Sequence, residues 1–230
     1  MTIDRTVVGR EWRFLQLTGL IWAWLLVAPG LEDRWLLQLL LQALLLNAVL
    51  MTLKVNPEWK VVREVMIGLW LVALAGSLFA FAPLPDGWQR LAREIESVSM
   101  LPLLALLAGG ILRFVYLSRR LTIDGIFATV VVYMIMAIMF AQLYLLLLGW
   151  DAQSFNLPVP AAERTPHLLH IDMVYYSLIT ECSVGYGDIL PRSDVARMLA
   201  AIQAVAGQFY MAVFVAVFVG MYAAQARERH

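Results

Sequence analysis

The sequence predicts an all-α membrane protein: six transmembrane helices, one re-entrant half-helix, and a loop held at membrane depth. Three observations carry this prediction: an apolar composition, a series of runs long enough to cross a bilayer, and one further run about half as long. Of the 230 residues, 62% are hydrophobic and only 15% charged, with a mean hydropathy of +0.76. Soluble domains sit near half apolar and about a quarter charged. A soluble fold of this size cannot hide so much apolar surface, so lipid is the solvent for most of the chain. The formal net charge is zero, which gives a nucleic-acid partner no footing. The single cysteine, Cys182, excludes an intrachain disulfide and a cysteine cluster for a structural metal.

Crossing a bilayer takes roughly 20 helical residues. The candidate runs are Phe14–Ala28, Trp35–Leu53, Val65–Phe81, Val98–Leu117, Ile126–Leu148 and Met198–Tyr222, of which the first and third are short. Trp12, Trp35, Trp59, Trp88 and Trp150 stand at or near run ends, where interfacial anchors belong. The run Ile171–Cys182 is too short to cross and suits a re-entrant helix. Turn chemistry marks the breaks: Pro29-Gly30, Asn56-Pro57, Pro83, Pro85 and Asp86-Gly87. The first run follows Arg5, Arg10 and Arg13 as a signal peptide would, but no A-x-A-like cleavage site comes after it.

Charge orients the runs. With the N-terminus in the cytoplasm and six crossings, the inner segments hold Arg5, Arg10, Arg13, Lys54, Lys60, Arg63, Arg113, Arg119, Arg120, Arg227 and Arg229. Only Arg34, Arg90, Arg93, Arg164, Arg192 and Arg197 are left outside. The acids divide the other way, with Asp4, Glu11, Glu58, Glu64, Asp124 and Glu228 inside. This Lys/Arg bias puts both termini in the cytoplasm of a multi-pass cell-membrane protein, and opens the half-helix with its following loop to the outside.

The loop after the half-helix reads Thr180-Glu181-Cys182-Ser183-Val184-Gly185-Tyr186-Gly187-Asp188. A pore that passes a cation must replace the ion's water shell with oxygens, and backbone carbonyls do so when successive C=O groups turn toward one axis. Such a ribbon alternates ordinary and left-handed dihedrals, and glycine takes the left-handed ones without steric cost. Gly185 and Gly187, one residue apart, fit that need. Val184 and Tyr186 would point away and wedge the ribbon, while Ser183 adds a hydroxyl at the inner end. Irregular backbone at this depth is tolerated only where protein buries it or an aqueous path runs beside it.

Ser183-Val184-Gly185-Tyr186-Gly187-Asp188 resembles the potassium-channel signature T-V-G-Y-G-D, with Ser for the first Thr. The similarity extends upstream, where Tyr175-Tyr176-Ser177 stands at the W-W-S of bacterial two-helix potassium channels and Thr180 matches a family Thr. Downstream, Pro191, Arg197 and Ala206-Gly207 fall at family spacings, and the whole covers Ile126–Tyr222. An ordinary extracellular turn would account for Gly185-Tyr186-Gly187 alone, but not for the half-helix before it and the full span after it.

The resemblance implies a potassium-selective channel subunit of the pore-loop superfamily. Its parts would be a four-helix peripheral unit, residues 1–121, and a pore domain, residues 122–230, with outer helix, pore helix, selectivity filter and inner helix. Four copies would form a homotetrameric pore in contact with membrane lipids. K+ would be coordinated by Ser183, Val184, Gly185 and Tyr186, with Gly187 completing the filter; Asp188, Tyr175 and Thr180 would support it. No cofactor is implied beyond the bound K+. Gly207 would be the inner-helix hinge, and Gln208, Met211, Val215 and Val219 would line the pore and its gate. Pore helices in this fold aim their partially negative C-termini at a central cavity, which favours a cation there.

Some residues depart from the pattern. Ser183 lacks the methyl that packs a threonine. Ile179 stands where some relatives carry a buried Glu, and Glu181 in the last turn of the half-helix reads as a neutralised or hydrogen-bonded structural residue. Voltage sensing needs about three or four arginines at triplet spacing in one span, yet Val98–Leu112 carries no charge. Arg113, Arg119 and Arg120 at the inner end read as lipid anchors. Gln38, Gln42 and Asn47 read as polar contacts between helices. His167 and His170 read as loop residues near the outer mouth. Two other classes fit the residues less well. A membrane enzyme built on His167, His170, Asp172 and Glu181 lacks a third ligand at motif spacing. A secondary transporter would show paired broken helices in two halves, where this chain has one.

Overall fold

The computed structural model describes residues 13–30, 34–82, 85–118 and 122–227, which fold almost wholly as helix. In chain order these are α1 (Arg13–Val27), α2 (Arg34–Val55), α3 (Lys60–Phe81), α4 (Asp86–Leu117), α5 (Ile123–Trp150), α6 (Pro166–Glu181) and α7 (Asp194–Arg227). Two short strands, β1 (Phe155–Asn156) and β2 (Leu190–Pro191), pair antiparallel with Phe155 opposite Pro191.

Helices α2, α3, α4, α5 and α7 each contain an apolar stretch long enough to cross a membrane. Helix α1 has 15 residues, a rise of roughly 22 Å against a hydrocarbon core of roughly 30 Å. The described helices thus include five long and apolar enough to cross, with α1 shorter, where the sequence predicts six crossings. The third run proves to be a full span, because Lys60, Arg63 and Glu64 form its first turn. Likewise α4 begins at Asp86, twelve residues before the apolar run that marks it. The i,i+4 pair Arg90–Glu94, at 3.1 Å, decorates that added segment. Glu96, one of the acids that the charge pattern leaves outside, therefore lies on a helix of the bundle.

Helices α1 to α5 share one apolar core. It runs from Phe14, Leu17 and Ile21 on α1 through Met100, Leu104 and Leu107 on α4 to Val131 and Ile135 on α5. The most extensive contacts join α3 to α4 and α4 to α5, and α1 lies on both α2 and α5. Asp124 is buried, and its Oδ1 accepts the Phe14 N–H at 2.8 Å. It thereby satisfies one of the donors that a helix start leaves unpaired. At the α2–α3 turn, Asn56 donates to the carbonyls of Thr52 (3.0 Å) and Gly110 (3.1 Å). Gly110 keeps α4 close enough that a Cβ there would collide with the Thr52 methyl. Arg113 is not a free lipid anchor: it pairs with Glu58 in the same turn and holds that exposed carboxyl below its usual range. Arg119 and Arg120 lie outside the described residues, as does the expected unit boundary at 121/122, between the end of α4 and Thr122, which caps α5.

A second core joins α5, α6 and α7. Tyr144, Phe155 and Tyr176 meet edge-on, with ring centroids 5.1 to 5.4 Å apart, a favoured aromatic arrangement. The Ser154 carbonyl accepts the N–H groups of Arg192 (2.7 Å) and Ser193 (3.2 Å). With the β1–β2 pair, this closes the loops on both sides of α6 against each other. Helix α7 is the exception to burial. Only 6% of its apolar stretch is buried in the single chain, against 50% for α5.

Candidate functional site

Helix α6 begins five residues before the apolar run that predicts it. Thr165 caps it, its hydroxyl accepting the Leu168 N–H at 3.4 Å, and Pro166 occupies the first turn, where its missing N–H costs nothing. His167 and His170 are therefore helical, not loop residues as the sequence suggests. Asp172 pairs with Arg164, Nε to Oδ2 at 3.0 Å. Among the described residues no group of three or more His, Cys, Asp and Glu gathers in metal-binding geometry. With 16 residues, α6 is too short to cross. The buried Ser177 hydroxyl holds it to α5 by donating to the Ala137 carbonyl at 2.6 Å.

Beyond Glu181 the chain folds back on its own helix end. The N–H groups of Val184 (2.8 Å) and Gly185 (3.2 Å) both reach the Ile179 carbonyl. The backbone then alternates: φ is +57° at Ser183, +50° at Gly185 and +81° at Gly187. Two of these left-handed positions are glycines, as the spacing predicts. Ser183 is the third, and it gives the Ser-for-Thr departure a backbone reason, because a β-branched residue is disfavoured at positive φ. Val184 and Tyr186 are 51% and 73% exposed, so their own chain does not wedge them. At the far end of the segment the Tyr175 hydroxyl donates to Asp188 Oδ2 at 2.8 Å. Thr180 lies half-buried in the last turn of α6.

Helix α7 grips the near end of the segment. Gln208 is exposed, and its Nε2 donates to the Ser183 hydroxyl at 3.0 Å, which joins two residues the sequence names separately. One turn earlier, buried Gln203 donates to Glu181 Oε2 (3.0 Å), the Ser177 hydroxyl (2.7 Å) and the Ser177 carbonyl (3.0 Å). Its own Oε1 accepts the Tyr144 hydroxyl at 2.6 Å. Glu181 is fully buried, as its reading as a hydrogen-bonded structural residue requires. The Tyr133 hydroxyl donates to its carbonyl at 3.0 Å, and Gly207 packs against the same oxygen. Gln203, Tyr144 and Tyr133 escape sequence reasoning. The one available signal is that Gln203 precedes Gly207 by four residues, on the same helical face.

Further along α7, the Tyr210 hydroxyl donates to the Thr129 carbonyl at 2.7 Å. Tyr210, Phe214 and Phe218 follow one another as a ring ladder. This face turns toward α5. Met211, Val215 and Val219 stand on the other side, exposed in the single chain.

The helix, loop and helix just described coincide with what the chain shares with known proteins. A family model described as Ion channel matches residues 127–224, from the first turn of α5 to the last turns of α7. Protein LctB of Bacillus caldotenax is 33% identical over 98 residues, which cover 43% of this chain and 72% of that protein. No solved structure matches. The apolar helices and the family match together make this chain a membrane-embedded member of the ion channel family, a channel protein and not an enzyme.

Proposed function

We propose that the protein is a potassium-selective channel subunit that passes K+ down its electrochemical gradient through a homotetrameric pore. The observation that carries this reading is the left-handed backbone at Ser183, Gly185 and Gly187, directly after a helix too short to cross. Such alternation is what turns successive carbonyls to one side of a ribbon. In this reading Ser183, Val184, Gly185 and Tyr186 coordinate K+, Gly187 completes the filter, and Asp188 is steadied by Tyr175. One chain supplies one wall of such a pore. The exposed apolar length of α7 supports three further copies, because a face of that size is buried by its neighbours or by lipid.

Helix α1 makes a sixth, short crossing in this reading, both termini are cytoplasmic, and residues 1–121 form a peripheral unit outside the pore domain. Each unit sits beside its own pore helices, supported by the Phe14–Asp124 hydrogen bond and by Arg90, which donates to the Gly149 carbonyl. Liposomes holding only this protein test the reading. They should release K+ and be blocked by barium; liposomes that stay tight to K+ would reject it.

A further inference from the structure

The peripheral helices hold a polar cluster for which conduction has no use. Gln38 and Gln42 on α2 each donate to the Ser77 hydroxyl on α3 at 2.9 Å, and that hydroxyl lies 2.6 Å from Glu96 Oε1 on α4. Gln38 also donates to the same Glu96 oxygen. Gln42 and Ser77 are each 2% exposed. Gly76 lets α4 come so near that a Cβ there would stand 3.0 Å from the Glu96 Cβ. Gln38 is one turn from the start of α2 and Ser77 one turn from the end of α3, so the cluster sits near the end of the bundle that the charge pattern places outside.

A carboxyl group within an apolar bundle is costly, and such groups mark proton and ion sites more often than packing. Within their apolar lengths the neighbouring helices carry no charge beside it. Helix α2 carries none between Trp35 and Leu53, α3 none between Val65 and Phe81, and α5 only Asp124, at its opposite end. On α4 itself Arg93 is the nearby charge, while Arg90 and Glu94 pair with each other.

The partners at Glu96 point to the ligand. The groups that reach its Oε1, the Ser77 hydroxyl and the Gln38 amide, are neutral, so they leave the charge of an ionised carboxylate uncompensated. A proton removes that charge. A metal ion fits poorly, because two amide N–H groups already point at the Ser77–Glu96 centre. We propose that Glu96, Ser77, Gln38 and Gln42 form a proton-binding site open to the outer side. Uptake of one proton by the Glu96 carboxylate, taking its charge from −1 to zero, removes an uncompensated charge from between α2, α3 and α4. The site does not depend on the chain's conducting potassium. Because α4 packs along α5, its occupancy bears on the outer helix of the channel.

Infrared difference spectroscopy on the full chain in lipid bilayers, recorded as external pH falls, tests the proposal. Wild type should gain a protonated-carboxyl C=O band that Glu96→Gln lacks, while Glu181→Gln and Asp124→Asn, altering buried carboxyls elsewhere, keep it. Ser77→Ala, which removes a donor to the carboxylate, should keep the band but strengthen proton affinity about tenfold, moving the midpoint to higher pH. A band unchanged in Glu96→Gln overturns the site. If that variant does not fold, an unmoved midpoint in Ser77→Ala overturns it equally.

Discussion

Gly207 on α7 lies directly against the carbonyl of Glu181, the last residue of α6: a Cβ on Gly207 would stand 2.5 Å from that oxygen and 2.9 Å from the Glu181 Cγ. Helix α7 runs through this position unbroken. What the glycine supplies here is close approach, on the face that also carries Gln203. Neither neighbour yields easily, since the carbonyl ends a helix and accepts the Tyr133 hydroxyl. Gly207→Ala is therefore expected to destabilise the protein by about 1–3 kcal/mol through overpacking. A lowered thermal midpoint in detergent would register this; an unchanged midpoint would mean that α6 and α7 separate freely.

Gly185→Ala acts by a different route. Nothing lies within 4 Å of a Cβ at Gly185, so crowding within the chain is not the issue. Its φ is +50°, and the left-handed conformation costs an L-residue roughly 1–2 kcal/mol. The variant should fold with near-wild-type stability and lose conduction, because relieving that strain reorients a carbonyl. Wild-type flux from a folded variant would show that this carbonyl is not part of the ion path.

Conduction should vary little with membrane potential. Charge moving through the field supplies the energy for voltage gating, and the apolar length of α4, Val98–Leu112, has no charged residue. Arg113 beyond it is tied to Glu58. Open probability measured across potentials should be nearly flat. A steep sigmoid that survives removal of divalent blockers would contradict this.

The gate is expected at Val215 and Val219. Both lie on the part of α7 that its own α5 and α6 leave uncovered, with Met211 above them and Gln208 on the Ser183 hydroxyl. Four copies converging would make an apolar constriction that loses its water, and an ion does not cross without hydration. Val219→Asn should raise basal K+ flux several-fold. If polar variants at both valines assemble and conduct like the parent, the gate lies elsewhere, at the filter.

The membrane class, the long apolar helices, the short helix and the left-handed glycines of the loop after it were all legible in the sequence, because each depends on local apolar length or on a residue's own dihedral preference. Three features were not. Apolar runs begin where hydropathy rises, so Asp86–Glu96 reads as an outer loop, although α4 runs through it and carries Glu96 into the bundle. For the same reason the Thr165–Pro166 start of α6 is hidden, and His167 and His170 read as loop residues. The clamp on Glu181 joins Tyr133, Tyr144 and Gln203 over as many as 59 positions of sequence, and no local pattern encodes such a meeting.

The most direct test of the central claim is the reversal potential of the reconstituted wild-type protein, with K+ on one side of the bilayer and Na+ on the other. The account predicts a reversal far from zero, in the direction set by K+ permeation. A reversal at zero, meaning equal permeability to the two ions, would contradict it.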